Sequence, residues 1–358
     1  MTGGAPVAHM VIASGAVVGR VAITDDVGCE ERREDSPERP SGAAMLRLAL
    51  TRLAWAIPLL LAASMITFVL VALAPGDAAR TILGPYAPQA QVDALRETLG
   101  LNEPWYVQYA AWLGSALQGD LGSSLLTSQP VTDLIVNRLP VTLALAVGAT
   151  IVCALVGVAL GTFSATRGRI GSGLVDFVAV LGIAVPNFWI GIVLVAVFAV
   201  WLGVLPATGY VPISNSVPLW ARSLVLPVVT LAIGGVTLIA KQTRDAMRET
   251  LGRDFIDSLR ADGWSEGRIV WRHGLRNAAI PIVTGIGVFF TGLLGGTVLV
   301  ENVFAMPGLG GAAVGAAVGH DLPLIQGIAL TYCVIVVIVN LIVDLLYAGL
   351  DPKARIAR

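Results

Sequence analysis

The sequence predicts an all-α polytopic membrane protein with six transmembrane helices. Hydrophobic residues make up 56% of the 358 residues and charged residues only 13%, whereas a soluble domain carries about 25% charge. The mean hydropathy is +0.79. The apolar residues also fall into long uncharged runs, each close to the roughly 20 residues that a helix needs to cross a bilayer.

The six apolar runs are separated by charged or turn-forming stretches. Residues 205–218 contain three prolines and two conformationally permissive residues, Gly209 and Asn215, so they are interpreted as a loop between the third and fourth runs. We therefore predict spans over residues 54–74, 139–166, from after Asp176 to about 203, 223–240, 277–300 and 322–343.

The distribution of basic residues predicts the orientation of these spans. With a cytoplasmic N-terminus, the inner segments after residue 44 contain 15 Lys and Arg residues and the outer segments contain 4. Cytoplasmic loops are enriched in Lys and Arg. Both termini are therefore predicted to be cytoplasmic.

The first 44 residues differ from the rest of the chain. Ten of the fifteen residues from 25 to 39 are charged, which is typical of disorder. Met45 directly precedes the first span, so residues 1–44 are either a disordered extension or the product of a mis-assigned start. The remaining divisions are an interfacial helix with the first span (45–76), an outer cap (77–138), and a core with spans two to six (139–358).

The cap is predicted to contain two short helices, over residues 91–99 and 105–117. Trp105, Tyr109, Trp112 and Leu113 share one face of the second helix. One interpretation is a cap on the bilayer surface with its aromatic rings at headgroup level. The other is a docking surface for an external partner.

The basic segment 241–276 is predicted to hold a short amphipathic helix between two long ones. Asp254 is suited to cap this helix, Phe255, Ile256 and Leu259 form its apolar stripe, and Gly263 ends it. A new helix is expected to begin at residue 265. Such a helix either docks a partner and transmits its motion or lies on the lipid surface.

Several classes of catalytic protein are excluded by residues that the chain lacks. Its only lysines, Lys241 and Lys353, do not follow the glycines of a Walker loop, so it is not a P-loop ATPase. Its histidines, His9, His273 and His320, form no zincin motif. Since the spans contain no histidine and no paired carboxylates, an intramembrane enzyme is disfavoured as well.

Polar residues at the spans are candidates for the translocation pathway. Asn187 follows a proline in the third span, where it either lines the pathway or satisfies a backbone carbonyl freed by the kink. Glu301 and Asn302 end the fifth span beside Pro307 and Gly308, a bend interpreted either as part of an outer gate or as a plain tight turn.

Other features of the last two spans concern helix packing. Asn340 and Asp344 lie one turn apart near the inner end of the sixth span, which favours an inter-helix hydrogen bond or salt bridge over substrate contact. Small residues allow helix backbones to approach closely, and the fifth span is rich in them: Gly285, Gly287, Gly292, Gly295 and Gly296.

Residues 254–281 read DFIDSLRADGWSEGRIVWRHGLRNAAIP, and this stretch resembles the cytoplasmic coupling loop of ABC importer permeases. The resemblance is strongest to the first permease subunit of the dipeptide, oligopeptide and nickel uptake family. Further segments agree in the same order, so that the resemblance covers residues 45–358: PGD at 75–77, LGLNEP at 99–104, GDLGS at 119–123, RLPVT at 138–142, ENVFAMPGLG at 301–310, NLIVD at 340–344 and YAGLDPK at 347–353.

This resemblance implies a type I ABC importer permease fold and a set of residues that couple the chain to an ATPase. The sequence departs from the family pattern at Ser258, where an alanine is usual, and at Asp262, where a lysine is usual, which alters the polar contacts expected there. The coupling residues carried over from the motif are Phe255, Asp257, Ser258, Leu259, Ala261, Gly263, Arg272, His273, Arg276, Asn277 and Pro281.

The resemblance also implies function and partners. The chain is expected to be a non-catalytic permease in the plasma membrane of a bacterium, importing di- or oligopeptides with a second homologous permease, two ATPase subunits that bind ATP and Mg²⁺, and an extracellular binding lipoprotein. No cofactor or metal is expected, and the net charge of −1 gives no reason to expect binding to nucleic acid. Alternative substrates are nickel, glutathione or an oligosaccharide, and the remote alternative is a secondary transporter or channel.

Overall fold

The computed structural model describes residues 42–350 apart from 75, 168–172 and 174–184. Most of the predicted extension 1–44, Asp176 and the start of the predicted third span therefore lie outside the described residues. In chain order the helices are α1 (Gly42–Leu73), α2 (Ala78–Leu83), α3 (Gln89–Thr98), α4 (Trp105–Ala116), α5 (Val131–Thr166), α6 (Asn187–Trp201), α7 (Val217–Leu251), α8 (Asp254–Ala261), α9 (Glu266–Val303), α10 (Leu309–Gly319) and α11 (Leu322–Leu350).

Five helices of the described chain are long and apolar enough to cross a membrane: α1, α5, α7, α9 and α11. They correspond to the predicted spans one, two, four, five and six. The described part of the third is α6, a shorter apolar helix of Asn187–Trp201. The all-α class is confirmed, and five of the six spans are described as long apolar helices.

Several helices extend further than the apolar runs that predicted them. The predicted loop 205–218 is wrong at its end, because α7 begins at Val217, with the Ser216 hydroxyl accepting a hydrogen bond from the Leu219 N–H (3.5 Å). Pro218 fits there because the first turn of a helix needs no N–H from that position. Helix α7 also continues past residue 240 to Leu251, since polar residues do not end a helix as they end an apolar run.

Helix α7 lies at the centre of the bundle. In its most apolar stretch 61% of the residues are buried, compared with 17% for α1 and 11% for α11. Leu231 and Ile239 of α7 pack in one core cluster with Leu145 of α5 and Leu293 of α9. The predicted salt bridge at the inner end of α11 is confirmed, because Asp344 pairs with Arg52 of α1 at 2.8 Å.

The glycines of the fifth span divide into two groups. A Cβ added to Gly285 would lie 1.9 Å from Gln242 Oε1, and one added to Gly287 would lie 2.7 Å from Val343 Cγ2, so both allow neighbouring side chains to approach. The other three, Gly292, Gly295 and Gly296, have nothing within 4 Å of that position in the described chain. For these three the expected close helix packing is not found.

The cap contains the two predicted helices, α3 and α4, and the unpredicted α2. The Asp77 carboxylate begins α2 by accepting the Ala79 N–H (3.1 Å), and it pairs with Arg96 of α3 (2.8 Å). Burial acts to raise the pKa of Asp77, but the hydrogen bond and charge of Arg96 and the backbone N–H groups outweigh it, so this pKa lies below its usual value.

The aromatic face of α4 packs against α1. The Tyr109 ring lies 5.4 Å from that of Phe68, edge to face, and its hydroxyl is 2.9 Å from Ser64 Oγ. Tyr109 also stacks on Trp112, with ring centroids 6.2 Å apart. Tyr109 thus contacts the bundle and Trp112 stacks on Tyr109, so only Trp105 of the predicted stripe remains exposed.

Candidate functional site

The predicted short amphipathic helix is present as α8, and Gly263 forms the turn at its C-terminal end; its coupling role remains a prediction. The Gly263 N–H donates to the Arg260 carbonyl (3.0 Å) and the Trp264 N–H to the Leu259 carbonyl (3.1 Å). These two bonds form a Schellman motif, which needs a left-handed residue, and Gly263 has φ +80°. Helix α9 then begins after Ser265, as predicted.

The start of α8 differs by one residue from the prediction. Arg253 occupies the N-cap position without a side-chain cap, and Asp254 is the first helical residue. Asp254 and Asp257 therefore lie in the first turn, where negative charge is favourable next to the free N–H groups. The predicted apolar stripe is only partly buried: Ile256 is fully buried, whereas Phe255 is 38% exposed.

Arg260 joins α8 to the start of α9. Its guanidinium donates to Asp257 Oδ1 (2.9 Å) and to Glu266 Oε1 (2.8 Å). The hydrogen bonds that Arg260 donates to Glu266 and Asp257 raise its pKa. Arg260 was not among the predicted coupling residues, although its spacing of three from Asp257 is the signal of a helical ion pair.

The predicted residues on α9 surround a small aromatic contact. The His273 ring meets that of Trp264 edge to face at 5.2 Å, and the Arg268 guanidinium lies 5.4 Å from the Trp264 ring centroid. The Asn277 amide donates to the His273 carbonyl (2.8 Å). Beneath this surface, Met247, Val270, Ala278 and Ile282 form a buried cluster between α7 and α9.

The predicted coupling residues are therefore largely accessible. Leu259 and His273 are half-buried, and the others are exposed: Phe255, Asp257, Ser258, Ala261, Gly263, Arg272, Arg276, Asn277 and Pro281. Among the described residues no group of three His, Cys, Asp or Glu is placed to hold a metal ion. The surface therefore presents an exposed aromatic ring, Phe255, next to charged side chains.

At the other end of α9 a buried carboxylate ties three helices together. Glu301 is 1% exposed and accepts hydrogen bonds from the Thr142 hydroxyl of α5 (2.7 Å) and the Gly311 N–H of α10 (3.0 Å). Thr142 in turn accepts the Leu309 N–H (2.8 Å). A buried polar group needs such partners, and Glu301 has them from both neighbouring helices.

The turn after Glu301, residues 301–311 and hereafter the Glu301 turn, is tightly folded. The Met306 N–H donates to the Glu301 carbonyl (2.8 Å), and Ala305 has a left-handed φ of +49°. Gly308 is buried against the Glu301 carboxyl, whereas Asn302 and Pro307 are exposed. The tight turn is present, and a role in gating remains a prediction.

Asn187 is the first residue of α6 and is half-buried. Its side chain makes no hydrogen bond to any described residue, and residue 182, four positions before Pro186, lies outside the described residues. Its place in a pathway remains a prediction.

A second buried carboxylate was missed by the sequence analysis. Asp321 is fully buried, accepts the Ser124 hydroxyl and the Leu125 N–H (3.1 Å), and precedes α11 in the N-cap position. An aspartate two residues before Pro323, which lies in the first turn of α11, is a recognisable helix-start pattern.

Comparison with known proteins identifies the family. The model of the family described as "Binding-protein-dependent transport system inner membrane component" matches residues 157–356, and that of its N-terminal region matches residues 45–146. A Brucella abortus relative with a peptide transport system permease name is 40% identical over 313 residues, which is 87% of this chain and 99% of the relative.

Two further permease proteins are similar to this chain over comparable lengths. The Bacillus subtilis oligopeptide transport system permease protein AppB is 38% identical over 314 residues (86% of this chain, 99% of AppB). The Escherichia coli glutathione transport system permease protein GsiC is 38% identical over 312 residues (87% and 99%).

The fold is also that of a solved transporter. A chain of the inward-facing MetNI methionine ABC transporter superimposes with a TM-score of 0.51 and 19% identity, covering 63% of this chain and 100% of that one. This multi-pass membrane protein belongs to the binding-protein-dependent transport system inner membrane component family, the permeases of ABC importers.

Proposed function

We propose that this chain forms half of the translocation pathway of an ATP-driven peptide importer and performs no catalysis itself. The observation that carries the proposal is the accessible α8 surface, presented between the two long helices α7 and α9 in a chain of this permease family. Its exposed aromatic tip, Phe255, suits the surface of a partner subunit, since exposed large apolar groups mark interaction sites when they are rimmed by charge.

The partners follow from the same proposal. Two ATPase subunits hold ATP and Mg²⁺ and dock on the coupling loops of this chain and of a second, homologous permease, and an extracellular lipoprotein delivers the substrate. The open space beside Gly292, Gly295 and Gly296 supports a second permease packing against α9. The excess of basic residues in the predicted inner segments supports cytoplasmic termini.

ATP binding would drive transport as a population shift. Closure of the ATPases moves the coupling helices and biases the permease pair from inward-facing to outward-facing packing, because a ligand shifts an equilibrium only through its different affinity for the two states. The permease needs no reactive group for this step.

The substrate proposed is a di- or oligopeptide, supported by the peptide and oligopeptide names of relatives 38–40% identical to this chain. Glutathione is the second candidate, supported by a glutathione permease at 38% identity. Both are peptides with a free carboxylate. Labelled tripeptide and glutathione supplied with the cognate binding protein would distinguish them by their relative uptake.

Reconstitution in liposomes tests the function. We expect peptide uptake only with both permeases, the ATPases, the binding protein and ATP, and none from this chain alone; uptake by the chain alone would contradict the proposal. The variant Phe255→Ala should weaken ATPase association, whereas Phe188→Ala, an equally exposed aromatic on α6 (39% against 38%), should not. Equal association of both variants would refute docking at α8.

A further inference from the structure

A cavity of about 440 Å³ lies where the loop before α7 meets the first turns of that helix. Its lining includes Thr208, Tyr210, Leu219 and Arg222. A volume of this size accommodates the end of a small peptide, since ligand pockets start at roughly 300 Å³. No residue of the functional site described above lines it.

Arg222 is the only charged residue among those that line the cavity. Its Nη2 donates to the Val204 carbonyl (2.8 Å), which fixes the guanidinium in place. It pairs with no carboxylate among the described residues, and the sequence has no Asp or Glu between residues 203 and 223. A guanidinium has five N–H donors, so several remain for a ligand.

The other polar groups of the cavity are hydroxyls. The side chains of Thr208 and Tyr210 make no hydrogen bond within the described chain, although both line the same space. An arginine fork flanked by hydroxyls matches a carboxylate, which guanidinium groups bind through two parallel hydrogen bonds.

The cavity adjoins the Glu301 turn. The Gly209 N–H donates to the carbonyl of Phe304 (2.9 Å), three residues after Glu301, and Tyr210 packs against the core cluster that contains Phe304 and Met306. The loop is thus held to the end of α9, which the predicted orientation places at the outer mouth of the pathway.

We propose that this cavity binds the C-terminal carboxylate of an incoming peptide through Arg222. The inference rests on the proposed function and deepens it by naming the group of the substrate that the permease recognises. An anionic lipid headgroup presents similar oxygens, but the attachment of the loop to the Glu301 turn favours the pathway over the lipid surface.

The test compares uptake of trialanine with uptake of its C-terminal amide by the complete transporter in liposomes. In the wild type we expect the KM for the free acid to be lower by about tenfold, the scale of one charge-assisted hydrogen bond. Arg222→Gln should raise the KM for the acid by about tenfold and leave that for the amide unchanged. Arg222→Lys keeps the charge but not the forked guanidinium, so its KM for the acid should lie between those of the wild type and Arg222→Gln.

Unchanged uptake of the amide shows that the Arg222→Gln variant folds. The matched control is Arg80→Gln, at an exposed arginine of the cap, which should change the uptake of neither peptide. An unaltered acid-to-amide ratio in Arg222→Gln, with ATP-dependent uptake intact, would overturn this inference alone. An effect of Arg222→Gln on both probes, present only with phosphatidylglycerol in the vesicles, would assign the site to lipid and also overturn it. Absence of ATP-dependent uptake of either probe by the wild type would overturn the proposed function, and this inference with it.

Discussion

The substitution Gly308→Ala tests whether the Glu301 turn depends on the fit between its glycine and the buried carboxylate. A Cβ at Gly308 would lie 2.2 Å from Glu301 Cδ and 2.3 and 2.5 Å from its two oxygens. Gly308 has φ −95°, which an alanine readily adopts, so backbone strain does not contribute. The methyl group must therefore displace the carboxyl of Glu301.

The cost follows from the hydrogen bonds that Glu301 would lose. The bonds from Thr142 (2.7 Å) and Gly311 (3.0 Å) are each worth about 1–3 kcal/mol, so Gly308→Ala should destabilise the chain by about 2–6 kcal/mol. Thermal unfolding of the purified protein in detergent, followed by tryptophan fluorescence, would measure this. The three atoms nearest to the added methyl group all belong to the Glu301 carboxyl. In a Glu301→Ala background, Gly308→Ala should therefore cause no further loss of stability.

Gly315→Ala is the matched control, because the same helix α10 leaves nothing within 4 Å of that position. Its melting temperature should stay the same or rise slightly, since alanine favours a helix over glycine by about 1 kcal/mol. A Gly308→Ala protein as stable as the wild type would refute the steric argument, as would equal penalties with and without the Glu301 side chain.

Three further predictions concern other contacts. Gly263→Val places a branched residue at φ +80°, which costs about 1–2 kcal/mol, so the ATP consumed per peptide imported should rise severalfold. Asp77→Asn keeps the helix cap but removes the ion pair with Arg96, so amide hydrogen exchange in α2 and α3 should be faster in the variant than in the wild type above pH 3.8. Because folding lowers the pKa of Asp77, this difference should be lost as the pH falls through the folded-state pKa. Gly285→Ala should displace the side-chain amide of Gln242, which donates to the Pro281 carbonyl. The loss of this bond should destabilise the chain by about 1 kcal/mol, measured by thermal unfolding.

Each of these has a control in the same region. Gly267→Ala introduces no contact within 4 Å and should leave the ATP consumed per peptide imported unchanged. A rise in this ratio equal to that of Gly263→Val would contradict the role of the turn at Gly263. Asp93→Asn removes a longer contact to Arg96 (3.5 Å) and should change exchange in the cap less. Gly292→Ala faces open space and should not lower the melting temperature of the isolated chain.

The sequence predicted the segment around α8 well because the contacts there are local. The turn at Gly263 is closed by carbonyls three and five residues away, and Arg260 bonds to residues three and six positions away. Such spacings are visible in a linear sequence. What could not be read from it was which side of α8 would be buried, because Phe255 and Ile256 are equally apolar and only packing separates them.

The Glu301 turn was predicted only in part, because its partners are distant in sequence. Thr142 lies 159 positions from Glu301, and Ser124 lies 197 positions from Asp321. A carboxyl at the end of a span predicts that some donor will meet it, since unsatisfied polar groups are costly. It does not predict the donor, so Thr142 and Asp321 were not identified as site residues.

Helix boundaries show a further limit of hydropathy. A span is the apolar part of a helix, whereas the helix itself ends where caps or turns stop the backbone hydrogen bonding. Helix α5 therefore begins at Val131, eight residues before the predicted span, with Asp133 and Arg138 inside it. Helix α10 was not predicted, because its small residues, mostly glycine and alanine, give it no marked apolar face.

The coupling loop and the Glu301 turn are the two ends of one helix. Helix α9 begins at Glu266, which is held by Arg260, and ends at Val303, next to Glu301. At 1.5 Å per residue its 38 residues span about 57 Å, somewhat more than a whole bilayer. If α9 moves as a rigid body, a displacement of α8 would reach the Thr142 and Gly311 contacts without crossing any interface between subunits. In the proposed transport cycle, this makes α9 the direct mechanical connection between the ATPase surface and the outer turn.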